Sequence, residues 1–149
     1  MPRSRYLIPL SHDHHHALKL AQMLRKNAPQ MESTPESPFE KARRALEFYE
    51  SDLVVHFAEE EKILYPFVRG RSKDVDELFK EIFSEHKLIK ELVEGLSKEE
   101  TGLEEKLDLL GKLLESHIRK EERELFPKIQ AVFSEEELSK LNGKIKAVR

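Results

Sequence analysis

The sequence contains no cysteine. Disulfides, iron–sulfur clusters, thiolate metal sites and thiol nucleophiles are therefore excluded, and any metal must be held by imidazole and carboxylate. Glycine fills only 5 of the 149 positions, few of the turn-forming residues that break up helices. Neither sign of charge dominates: 26 basic and 29 acidic side chains leave a formal charge of -3, with no long block of one sign. A nucleic-acid or membrane partner is not expected from such a balance. No apolar stretch is long enough for a signal peptide or a membrane span, so the expected location is cytoplasmic.

Charged residues make up 37% of the chain, and Leu, Glu, Lys and Ala are abundant, the composition of long amphipathic helices. The expected fold class is all-α. A single domain over 1–149 is long enough to bury a core without a staple, so a metal, if present, is free to serve function.

A first helix is expected over residues 11–27, with His14, Ala17, Leu18, Ala21 and Leu24 on one face. A Pro- and Ser-rich loop follows at 29–38. Ser37, Pro38 and Glu40 have the form of a capping box with proline in the first turn, opening a second helix that reaches about residue 68 and stops at Gly70. Asp74 and Glu77 open a third, whose stripe is Leu78, Ile82, His86, Ile89, Val93 and Leu96. Thr101 with Glu104 caps a fourth, which runs to about 133. Ser134 with Glu137 begins a short C-terminal helix over about 134–143. The short linkers point to an up-down-up-down four-helix bundle over about 11–133.

The chemistry lies in a duplication. LEFYESDLVVHFAEEEKILYPFV from Leu46 aligns without a gap on LDLLGKLLESHIRKEERELFPKI from Leu107, with 7 of 23 positions identical. The identities include His56/His117, Glu60/Glu121, Glu61/Glu122, Leu64/Leu125 and Pro66/Pro127. Ahead of each copy stands an acid–His pair on its own helix, Asp13-His14 and Glu85-His86. A His and a Glu four residues apart lie about 40° apart around a helix and roughly 6 Å along it, so both can reach one metal or two adjacent ones. Imidazole with carboxylate suits iron, manganese, zinc or copper, whereas calcium and magnesium prefer oxygen throughout.

Composition alone makes a single His-x-x-x-Glu unremarkable, because Glu fills 24 positions. Two copies in one extended frame, each preceded by an acid–His helix, are not explained that way. His12, His15 and His16 flank the apolar face and read as exposed, with His12 or His15 open as an additional ligand. Glu59, Glu61 and Glu122 are expected to face solvent or a neighbouring helix, and Tyr65 and Phe126 to lie in the core. Asp13 and Glu85 could orient a ligand imidazole through its second nitrogen. They read more simply as helix-surface acids.

The paired motifs HFAEEEKILYP and HIRKEERELFP resemble those of the hemerythrin-like, or HHE cation-binding, domain family, and the resemblance extends from residue 11 to about 133. It implies a four-helix bundle with a carboxylate-bridged pair of non-haem irons, further joined by an oxo or hydroxo group. Matched motif to motif, His14, His56, His86 and His117 would be terminal ligands and Glu60 and Glu121 the bridges. The sequence departs from the oxygen-carrying members on the third helix, where Lys90 stands in place of a second histidine, and in having Glu121 where an Asp at another spacing is usual. The expected function is the binding or sensing of oxygen or a related small ligand, or the handling of iron. The alternatives are a di-iron redox enzyme acting on peroxide or nitric oxide, and a metal-free helical interaction module. Another transition metal remains open, and the residues name no protein partner.

Overall fold

The computed structural model describes residues 2–26, 28, 37–96 and 101–146, and all regular structure among them is helical. Most of the Pro- and Ser-rich loop expected at 29–38, and Asn27, lie outside the described residues. No described helix is long and apolar enough to cross a membrane.

Helix α1 is Ile8–Leu24, starting three residues before expectation. Pro9 is the reason: in the first helical turn its missing N–H has no intrahelical acceptor to lose, so it opens the helix instead of delaying it. The second helix, α2, spans residues 38–68. Ser37 Oγ accepts from the Glu40 backbone N–H at 3.2 Å, but the Glu40 carboxylate is turned to Arg43, so only half of the expected box forms.

Helix α3, Lys73–Leu96, begins where Ser72 Oγ accepts from the Val75 N–H at 3.3 Å. Asp76 instead faces backward and accepts from the N–H of Gly70, whose φ of +88° suits glycine. Helix α4 covers residues 103–132. Thr101 does not cap it: Gly102 holds the capping position at φ +71°, and no side chain bonds there. The capping box of Ser134 and Glu137 forms as expected, opening α5, Glu135–Leu138, which continues as a 3₁₀ turn at Ser139–Leu141.

Helices α2 and α4 each contain a π-helical turn within the repeat, at Glu60–Leu64 and Glu121–Leu125. The Tyr65 N–H reaches back five residues to the Glu60 carbonyl, and the Phe126 N–H likewise to Glu121. Pro66 and Pro127 follow directly. A proline ring crowds the carbonyl four residues back, and a wider turn relieves that clash without ending the helix. A third π turn, Tyr49–Leu53, has no proline after it and no counterpart in the second copy.

Two apolar clusters fill the interior. One gathers Leu10, Leu64, Phe79, Ile82, Leu125 and Phe126; the other gathers Ala17, Phe57, Ile89, Leu110, Leu114 and Ile118. Every long helix contributes to both. Apart from Ser4 and Glu59, the buried polar side chains lie where each helix passes from one cluster to the other: Asp13 and His14, His56 and Glu60, His86, and His117 and Glu121. A polar layer thus divides an otherwise apolar core, and losing one large aliphatic side chain from either flank costs about 2–5 kcal/mol.

Candidate metal centre

Each helix delivers its part of the layer by spacing alone. On α2 and α4 the His and the Glu four residues later share one inward strip, while α1 and α3 each offer one inward histidine. The six side chains are nearly sealed from solvent, with Glu60 and Glu121 at 0% exposure. They form two overlapping groups, His14, His56, Glu60 and Glu121 in one and His86, His117, Glu60 and Glu121 in the other. Within each group the ligand atoms all lie within 4.8 Å of one another.

The two glutamates divide their oxygens between the groups. Glu60 turns Oε2 toward His56 Nε2 at 3.4 Å and Oε1 toward His86 Nε2 at 3.0 Å. Glu121 turns Oε1 toward His14 Nε2 at 2.6 Å and Oε2 toward His117 Nε2 at 3.4 Å. Glu121 Oε1 and Oε2, Glu60 Oε2 and His117 Nε2 are buried without an aligned hydrogen bond, although each lies within ion-pair reach of a facing imidazole or carboxylate. Nε2 of His14 and of His56 face each other at 3.1 Å. Buried polar atoms in native structures are almost always satisfied. Carboxylate oxygens and imidazole nitrogens that converge without aligned hydrogen bonds among themselves are a donor set suited to a transition-metal ion.

The outward nitrogen of every one of these imidazoles is also held. Asp13 of α1 takes His56 Nδ1 at 2.9 Å, Glu61 of α2 takes His86 at 2.7 Å, Glu85 of α3 takes His117 at 2.7 Å, and Glu122 of α4 takes His14 at 2.6 Å. The acids form a closed ring in which each helix steadies the histidine of the next. With Nδ1–H donated to a carboxylate, Nε2 is left as the lone-pair nitrogen that faces the centre. Asp13 and Glu85 are therefore not the surface acids that their place in the sequence suggested. Glu61 and Glu122 do face neighbouring helices, and there they hold ligand-type histidines. The signal lay in the repeat itself, which duplicates both the acid before His14 and His86 and the second Glu after Glu60 and Glu121.

Electrostatics agree with a cation at the centre. Burial would push the imidazoles of His14, His56 and His86 down, but the surrounding carboxylates outweigh it and hold all three raised, His56 well above the ordinary histidine range. Burial would likewise raise Glu60, yet His56 and His86 hold it well below the usual carboxylate range. Basic groups that favour their protonated form beside an acid that refuses a proton mark a place arranged for positive charge.

Other residues stand apart from the layer. His12 and His15 are exposed and His16 half-buried, so none joins the buried groups. Lys90 is exposed, and the buried position next along α3 from His86 is Ile89. Glu59 is buried but turned away, accepting the Lys146 N–H at 2.8 Å, and burial raises its carboxyl. Phe126 and Phe57 are core aromatics that stack on His14 and His86, with centroids 5.6 Å and 3.9 Å apart, while Tyr65 packs partly buried against the core.

The family model of the hemerythrin HHE cation binding domain matches residues 9–129. The chain belongs to this family. The hemerythrin match encloses all six side chains of the layer and all four acids of the ring. No curated protein and no solved structure matches the chain. Outside the matched span, Arg3 reaches back to the Glu122 carboxylate at 3.2 Å, tying the N-terminal arm to the acid that holds His14.

Proposed function

We propose that this hemerythrin-family chain holds two non-haem iron ions within an up-down-up-down four-helix bundle, and uses them to bind or sense oxygen or a related small ligand. The observation that carries the reading is the pair of overlapping ligand groups sharing Glu60 and Glu121, each glutamate offering one oxygen to each histidine pair. His14 and His56 would then be the terminal ligands of one ion, and His86 and His117 those of the other.

Charge supports the reading. The two inner glutamates and the four acids of the ring carry six formal negative charges, of which Arg3 on Glu122 and Lys120, shared between Glu85 and Glu81, offset at most two, so the layer favours a strongly cationic occupant. A metal-free interaction module would have to keep its buried imidazoles protonated to balance two fully buried carboxylates, which ties the layer's stability to pH.

Iron, when bound, would supply reversible electron transfer and an open coordination position to a small ligand. The protein would supply the surroundings. A narrow recess with room for about one water-sized molecule borders His14, His56 and His117, and is lined by Leu53, Phe57, Leu114 and Ile118 together with the acids Asp13 and Asp52.

The reading is tested by anaerobic ferrous titration of untagged protein, followed by rapid mixing with oxygen. Two irons per chain and a visible absorption change in the wild type are expected, with both lost in Glu60→Ala and Glu121→Ala and kept in Glu124→Ala, an exposed acid on the same helix. Uptake of two irons with no response to oxygen would move the assignment to iron handling. Catalytic turnover of peroxide or nitric oxide would move it to an enzyme.

A further inference from the structure

The buried layer uses four of the seven histidines, and the remaining three, His12, His15 and His16, all fall within two residues of His14. They stand on the outer side of α1, His12 and His15 exposed and His16 half-buried. Among the described residues no carboxylate is paired with any of them, in contrast to the four buried imidazoles. Their visible contacts are with one another.

His12 and His16 are four residues apart, one turn along the helix, and their rings meet edge to face with centroids 5.1 Å apart. Two imidazoles at this spacing on one helical strip can turn their nitrogens to a common ion. His15 also touches His16, at 5.8 Å, but adjacent residues diverge by about 100° around a helix and do not share a strip. We propose that His12 and His16 form a second, surface transition-metal site, independent of the buried centre. It takes a borderline divalent cation such as zinc, nickel or copper, with water completing the coordination.

The ligand set decides the selectivity. Two neutral nitrogens without a carboxylate offer little to iron(II) and more to the later metals, in the order that imidazole ligands generally follow. With two protein ligands and free access to water, the ion is held weakly and exchanges readily. The buried layer, with its carboxylates and closed walls, has the opposite character.

The test uses the full untagged chain with its buried centre already loaded with iron, dialysed to equilibrium against zinc chloride and analysed for both metals. The wild type and His15→Gln are expected to take up one further, weakly held zinc. His12→Gln and His16→Gln should each lose it while keeping their iron, and circular dichroism should show the fold unchanged. The proposal is overturned by a wild type that binds no additional zinc, by zinc that enters only as iron leaves, or by zinc binding that survives His12→Gln or His16→Gln. Loss confined to His15→Gln would overturn it as well.

Discussion

Replacing Asp13 by alanine removes the carboxylate that accepts the His56 Nδ1 hydrogen bond at 2.9 Å, where the Asp13 side chain is only 6% exposed. The imidazole loses the partner that fixes its orientation and keeps Nε2 facing the centre. Outer partners of this kind are worth about 10–100-fold in metal affinity, or roughly 1.4–2.7 kcal/mol. Shelter from water should grade the effect along the ring, because water can replace an exposed acceptor but not a buried one. Side-chain exposure rises from Asp13 at 6% through Glu85 at 18% and Glu122 at 28% to Glu61 at 42%. Alanine at Asp13 should therefore approach a hundredfold loss, and alanine at Glu61 no more than about tenfold. Asp13→Asn, which retains an acceptor without the charge, should fall between wild type and alanine. Competition for cobalt(II) against a chromophoric chelator measures the series directly. An unchanged affinity in Asp13→Ala, or a larger loss in Glu61→Ala, would refute the reasoning.

Four further outcomes are expected. In the metal-free chain, the raised His14, His56 and His86 contribute stability in full below about 6.5 and lose it as pH rises through their raised values. The lowered Glu60 contributes above about 4.5 and loses its share as pH falls. Urea unfolding of metal-free protein should thus show higher stability near pH 5.5 than near pH 8.5, whereas the metal-loaded form should hold up at the higher pH and release its metal in acid; equal metal-free stabilities would contradict this. Gly111→Ala would place a Cβ 2.6 Å from the Ala21 carbonyl oxygen where α1 crosses α4, and should destabilise by about 1–3 kcal/mol. Gly95→Ala meets nothing within 4 Å and should gain about 0.5–1 kcal/mol, so thermal melts in the reverse order would be a failure. Because Lys90 is exposed, Lys90→His should leave the metal-bound absorption spectrum unchanged; a shifted spectrum would show that α3 offers this position to the centre.

The six inner side chains were legible in the sequence because ligand type and a four-residue spacing are local properties, repeated in two copies. The acids around them were not. Asp13 and Glu85 each sit beside a buried histidine, and neighbours in sequence diverge on a helix, so neither can reach the imidazole next to it. They serve the histidine of the following helix, a relation that only the packing of the helices reveals. The π turns were hidden for a similar reason: Pro66 and Pro127 read as frame markers, and nothing local says that a wider turn rather than a break will absorb each ring. The first helix starts earlier than expected because Pro9 fits its first turn, and Thr101 does not cap the fourth because Gly102, at positive φ, sets that end.

The most direct test of the account is diffraction from crystals of the iron-loaded chain at the iron absorption edge. Two anomalous peaks about 3.5–4 Å apart are predicted, one beside His14 and His56 and the other beside His86 and His117, with the Glu60 and Glu121 carboxylates spanning both. A single peak in the layer, or iron bound elsewhere with the layer left to protonated histidines, would contradict it.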